Sequence, residues 1–221
     1  MKNAFQNLIK ENKENKTLLP FLLLLTTIPF PFAVNNIALG VFVIFSILSS
    51  KKQPISVNKL LILPILLYLL MIASCFWSID QKESIKALSK EIPLLLIPVF
   101  FIIIRTFTTN QKKIIVELYS YSMVLLALFF IIRAAIRYLI SNDSRVFFYH
   151  GEDYIDYGLV PKLLNAIHVS VFVSIAFFYF FSKQVKSILD KIFAVILFCF
   201  LLLLSSKNIV ITVVLLTLIY I

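Results

Sequence analysis

Side chains able to do chemistry are sparse in this sequence, and the one place where polar and titratable groups gather is between residues 141 and 168. That segment holds Asp143, Arg145, His150, Glu152, Asp153, Asp156, Lys162, Asn165 and His168. Gly151 and Gly158 fall in it too, two of only three glycines, which favours irregular backbone. The four acids match no divalent-ion ligand spacing, so they read as a solvated loop, as does His150. Lys162, Asn165 and His168 differ because they stand at the mouth of an apolar stretch, with Asn165 and His168 three apart on one helical face. Polar groups at the start of a membrane helix tend to face a cavity or the bundle interior, which makes this trio a candidate binding cluster. A second candidate is Lys207, within Ser205–Ser206–Lys207–Asn208, which interrupts two strongly apolar runs. Such a lysine either snorkels or holds a pyrophosphate or other anionic headgroup at the membrane surface. Arg133 and Arg137, four apart, add cations on one face and read first as snorkelling to headgroups.

Other catalytic templates are missing. The sequence has no glycine-rich phosphate loop, zinc-binding His–Glu helix, nucleophile elbow or Cys–His cluster, so neither metal nor cofactor is expected. Cys75 and Cys199 lie inside apolar runs and read as small buried hydrophobes.

The elements that must position these residues are apolar and numerous. Hydrophobic residues make up 61% of the 221-residue chain, well above the roughly 45–50% of soluble domains, so the composition is that of an all-α polytopic membrane bundle. About eight stretches are expected to span: 18–32, 33–48, 60–77, 92–104, 114–140, 164–181, 192–204 and one from 209. The first two form a pair turned near Pro29, Pro31, Asn35 and Asn36. The last stretch ends at Ile221, short of the roughly 17 residues a span needs, so the transmembrane domain (18–221) is expected to be incomplete at its C-terminus. Residues 1–17 are expected as a cytoplasmic tail. The first apolar run lacks a small-residue cleavage site and reads as a retained helix.

Charge orients the bundle. Net charge is +10, but the cations are dispersed among short loops, which excludes a nucleic-acid module and points to topology. With the N-terminus inside, Lys2, Lys10, Lys13, Lys16, Lys51, Lys52, Lys59, Arg105, Lys112, Lys113, Lys183, Lys186 and Lys191 all face the cytoplasm. The outer segments 78–91 and 141–163 balance their cations with acids, as the positive-inside rule requires. In the first of these, Asp80 precedes Glu83 by three residues, as at a capped helix start. Lys82, Lys86 and Lys90 share one face and Ile85, Leu88 and Ile92 another, which predicts an interfacial helix anchored by Trp77.

Three patterns together resemble the O-antigen ligase/O-antigen polymerase superfamily of bacterial envelope enzymes. They are Trp77–Ser78–Ile79–Asp80 with its amphipathic helix, the outer loop running into Leu164–Asn165–Ala166–Ile167–His168, and the Ser205–Ser206–Lys207–Asn208 turn, which is similar to a Ser–Arg–Gly-type turn between two spans. The resemblance covers the N-terminal portion of such a protein. It implies a multi-pass protein of the bacterial inner membrane that is active on the periplasmic face. There a glycan would leave undecaprenyl pyrophosphate for a lipid A core or another lipid-linked glycan, by metal-independent inverting transfer. It also implies that Lys207 stands for the motif arginine, with the charge but without the bidentate fork. Arg145 or Lys162 would match a second pyrophosphate-binding arginine. The acceptor-activating histidine would lie on a large loop beyond Ile221, so this chain alone is expected to be inactive. The competing expectation is a non-enzymatic transporter or export component, which would need polar groups at mid-bilayer depth. The sequence supplies few there: Thr26, Thr27, Ser122 and Ser174.

Overall fold

The computed structural model describes residues 2–49, 59–104, 106–148, 158–161 and 164–220. The described residues are helical, without strands. In order the helices are α1 (Lys2–Glu14), α2 (Leu18–Thr27), α3 (Phe32–Ser49), α4 (Lys59–Ser74), α5 (Gln81–Lys90), α6 (Pro93–Ile103), α7 (Thr109–Ser141), α8 (Ala166–Ser182), α9 (Ile188–Leu203) and α10 (Lys207–Tyr220). Short 3-10 turns cover Cys75–Trp77 and Ser144–Phe147. Runs of Leu, Ile and Phe favour helices because these satisfy every interior backbone group internally, which a lipid solvent demands.

Three helical segments are long and apolar enough to cross a membrane: Phe32–Ser49, Lys59–Trp77 and Thr109–Ser141. α2, α8 and α10 are apolar but shorter, at 10–17 residues. α4 shows why water is a poor solvent for this chain. Leu60, Leu63, Leu66, Leu67, Leu69 and Leu70 are all exposed along it, and only Tyr68 is buried. A continuous apolar face of that extent marks a lipid or partner surface, and the number of such helices points to a membrane protein.

The chain forms two compact units. The first comprises Met1–Leu24 and Asn35–Lys112. Residues 1–17, expected as a tail, carry the amphipathic α1, whose Leu8 is buried. A polar cluster ties it to the start of α7. The Asn15 amide donates to Gln111 Oε1 (3.5 Å), while Gln111 Nε2 and Asn110 Nδ2 donate to the Glu11 carboxylate at 3.0 and 2.6 Å. Asn15 Oδ1 accepts from the Thr17 amide and hydroxyl, which turns the chain into α2. Phe21 of α2 meets Phe42 of α3 at 5.7 Å between ring centroids, and Phe101 and Phe107 close round Phe21 at 4.9 and 5.3 Å. The approach of Phe21 to Phe42 folds α3 back along α2. The turn between them is narrower than the sequence suggested: Phe30 N donates to Thr27 O and Val34 N to Pro31 O, so Asn35 and Asn36 already belong to α3. Proline at the entrance of a helix has the required φ and lacks only an N–H that would be unbonded anyway.

α4 packs on α6, and the Tyr68 hydroxyl donates to Leu88 O (3.4 Å). Between them α5 begins as expected. Asp80 is its N-cap, and its carboxylate accepts from Glu83 N at 3.0 Å. The reciprocal half of a capping box is absent because the Glu83 carboxylate pairs with Lys86. Phe76, Trp77, Ile79 and Ile85 are all exposed beside it.

The second unit comprises Leu25–Val34 and Lys113–Ile221. Its core is built from α7, α8 and α9, with Val213 of α10 and the returning segment Leu159, Val160 and Leu164. Phe180 and Phe200 are wholly buried within it. Tyr119 Oη donates to Phe172 O (3.0 Å), a directional tie between α7 and α8. The α8–α9 turn is fixed by Asp190, which is almost fully buried. Its carboxylate accepts from Lys183 Nζ, the Ser187 amide and the Ser187 hydroxyl, each at 2.9 Å. Ser187 Oγ in turn accepts from Asp190 N (3.1 Å), completing a capping box that starts α9 at Ile188, before the 192 expected from hydropathy.

Candidate functional site

Ring contacts set the directions of the helices in the second unit, and hence which termini meet. Phe130 stacks on Phe200 (6.3 Å) and Tyr121 meets Phe193 (5.9 Å), so α9 runs parallel to α7. Phe177 contacts Phe198 and Phe180 contacts Phe193, so α8 runs the opposite way. The start of α8, the end of α9 and the start of α10 therefore lie at one end of this core, level with the last turns of α7. Arg137, half-buried there, donates from Nη1 to Gly158 O (3.2 Å) and so anchors the returning loop. Leu159 N donates to Phe148 O (3.2 Å), and Tyr138 packs on Phe147 at 5.6 Å.

The sequence candidates fall out differently around this end. Asn165 is the N-cap of α8, its Oδ1 accepting from Ile167 N at 2.9 Å, and His168 stands exposed one turn further on. Lys207 opens α10 and is exposed, just after Ser205, which takes a left-handed φ of 56°. No hydrogen bond or ion pair joins Asn165, His168 and Lys207 to one another among the described residues. Arg145 lies in the 3-10 turn with its guanidinium on Asp143 (2.8 Å from Nη2 to Oδ2) and its side chain 74% exposed. A phosphate approaching Arg145 would have to displace that carboxylate. Lys162 lies outside the described residues, as do His150, Gly151, Glu152, Asp153 and Asp156.

Helix termini of both polarities meet at this end, so their dipoles largely offset one another and side chains set the field. Among the described residues these are Arg133, Arg137, Arg145 and Lys207 against Asp143. The arrangement can hold an anionic group at the surface, and His168 and Asn165 could offer it hydrogen bonds. Arg133 and Arg137, read from sequence mainly as snorkelling cations, are half-buried on the flank of this end and belong with it. Their four-residue spacing was the available signal. Comparison with known protein families, curated proteins and solved structures finds no match to this chain.

Proposed function

We propose that the chain is the donor-binding part of an envelope glycosyltransferase of O-antigen ligase type, in which this cationic end holds the pyrophosphate of a polyprenyl-linked glycan. In this reading the helices make about eight passes through a bacterial inner membrane with the N-terminus inside, and the cationic end faces the periplasm. Lys207 carries the phosphate contact, Arg133 and Arg137 reinforce the field, and Asn165 and His168 border the site. Charge placed where the leaving pyrophosphate gains negative charge lowers the barrier without a metal. The observation that supports the reading most is the gathering of Arg133, Arg137 and Lys207 at one end of the helices of the second unit. A transport pathway is less well supported, because the Ser122 and Ser174 hydroxyls donate to carbonyls of their own helices (2.7 Å each) and need no other ligand.

Binding of undecaprenyl pyrophosphate to the chain in phosphatidylcholine nanodiscs tests this. A charge-assisted hydrogen bond is worth about 1.5–3 kcal/mol, so Lys207→Gln should weaken binding roughly 10- to 100-fold. Equal affinity of the wild type and the variant, or equal affinity for undecaprenol without phosphate, would overturn the reading.

A further inference from the structure

At the opposite end of the second unit lies a feature that the transferase reading does not use. α8, α9 and α10 bound a groove of about 420 Å³, lined by Phe177, Phe181, Val195, Phe198, Val214 and Thr217 among others, with almost no polar surface. Its one hydroxyl, on Thr217, donates to Val213 O at 2.7 Å, so the lining asks for no hydrogen bond. The groove opens sideways between exposed Val195, Val214 and Leu218. Its mouth is fixed by Tyr220, whose hydroxyl donates to Ser182 O (3.1 Å) and brings the end of α10 to the end of α8.

The charge at that mouth bears on what kind of molecule the groove would suit. Lys183 is committed to Asp190, whereas Lys186 pairs with no carboxylate among the described residues and sits over the ring of Phe181 at 4.6 Å, itself a wall of the groove. Lys191 adds a further exposed cation in the same turn region. A hydrocarbon slot with cations at its rim is complementary to one kind of molecule, an amphiphile with an anionic head. The groove residues span about one helical turn of each helix, some 6 Å at 1.5 Å per residue, close to the ends of α8 and α10 and beginning six residues into α9. That depth falls within the roughly 15 Å of one bilayer leaflet, so a single chain entering from the headgroup level fits it.

We propose that this groove holds an acyl chain of an anionic phospholipid from the leaflet at the lysine end, with the phosphate on Lys186 and Lys191. The proposal needs only that these helices lie in a bilayer and is independent of the transferase reading. Each surface lysine favours an anionic headgroup by about fivefold.

Native mass spectrometry of the full chain tests it, with dioleoyl phosphatidylglycerol or dioleoyl phosphatidylcholine titrated into detergent. The expected result is one phosphatidylglycerol retained about 25-fold more tightly than phosphatidylcholine, two factors of about five. Lys186→Gln should weaken that retention about fivefold, and Ala194→Leu, which fills the groove while leaving the charge, should weaken it as well. Thr217→Leu repeats the filling test from α10 in case Ala194→Leu fails to fold. Equal retention of the two lipids overturns the proposal. So does sensitivity to Lys186→Gln alone, which would mean adsorption at the headgroup level without the groove. A dimer that disappears in the filled variants while lipid retention is unchanged would assign the groove to a second copy of the chain and overturn it too.

Discussion

Replacing Asp190 with alanine removes at once the three contacts that its carboxylate accepts, from a side chain that is only 7% exposed. Lys183 loses its partner while remaining mostly buried, its side chain 31% exposed, and the first turn of α9 loses the reciprocal half of its capping box. Breaking a fully buried ion pair costs about 3–5 kcal/mol. Partial access of Lys183 to solvent reduces that to about 2, and the lost capping contact adds about 1, for a total of roughly 3 kcal/mol. Unfolding in mixed micelles by increasing SDS mole fraction, followed by circular dichroism, measures it. Lys183→Met combined with Asp190→Leu should cost less than Asp190→Ala alone, because no charge is left stranded. The pH dependence follows from the same contacts. Burial pushes the Asp190 carboxyl up, but the Lys183 and Ser187 hydrogen bonds outweigh it and hold the group below its ordinary 3.8. The stabilisation is therefore complete above about pH 4 and fades as pH drops through the lowered folded value, and an Asp190→Asn variant should show a flatter profile there. A destabilisation below about 0.5 kcal/mol for Asp190→Ala, or a double variant worse than the single, would refute the reasoning.

Gln111→Leu should release α1, because Gln111 accepts from Asn15 and donates to Glu11, and burying the orphaned partners costs about 1–3 kcal/mol; the readout is faster amide exchange across Lys2–Glu14 with exchange in α8 and α9 unchanged. Ser205→Gly should stabilise the α9–α10 turn by about 0.5–1 kcal/mol, since Ser205 holds a φ of 56° that glycine adopts without strain; an unchanged or lower SDS midpoint would contradict this.

What the sequence revealed depended on the range of each interaction. The Asp80 cap was legible because its partner, Glu83, is three residues away. The Ser187–Asp190 box has the same range but was hidden by a habit of hydropathy, which starts a helix at its first long apolar run and so skips the polar turn that begins it. The Glu11–Asn15–Gln111 cluster was not legible at all, for amides and carboxylates separated by most of a hundred residues carry no periodic signal. The cationic end shows both cases. Lys207 and Asn165 stood out as polar breaks in apolar runs, whereas the association of Arg133 and Arg137 with them required knowing that α9 runs parallel to α7.

The hydroxyls of this chain are largely inward-looking. Ser46, Ser120, Ser170, Thr212 and Thr217 each donate to a carbonyl four residues back in their own helix. A helix that answers its own polar groups presents neighbours with a chemically smooth flank, on which sliding by a fraction of a turn exchanges one van der Waals contact for another. Register then rests on a few side chains that reach across. Tyr119 does so in the middle of α8, at Phe172, and Tyr220 at its end, at Ser182. Such a bundle can tolerate drift over most of its apolar surface, so long as the two phenols that set its alignment are kept.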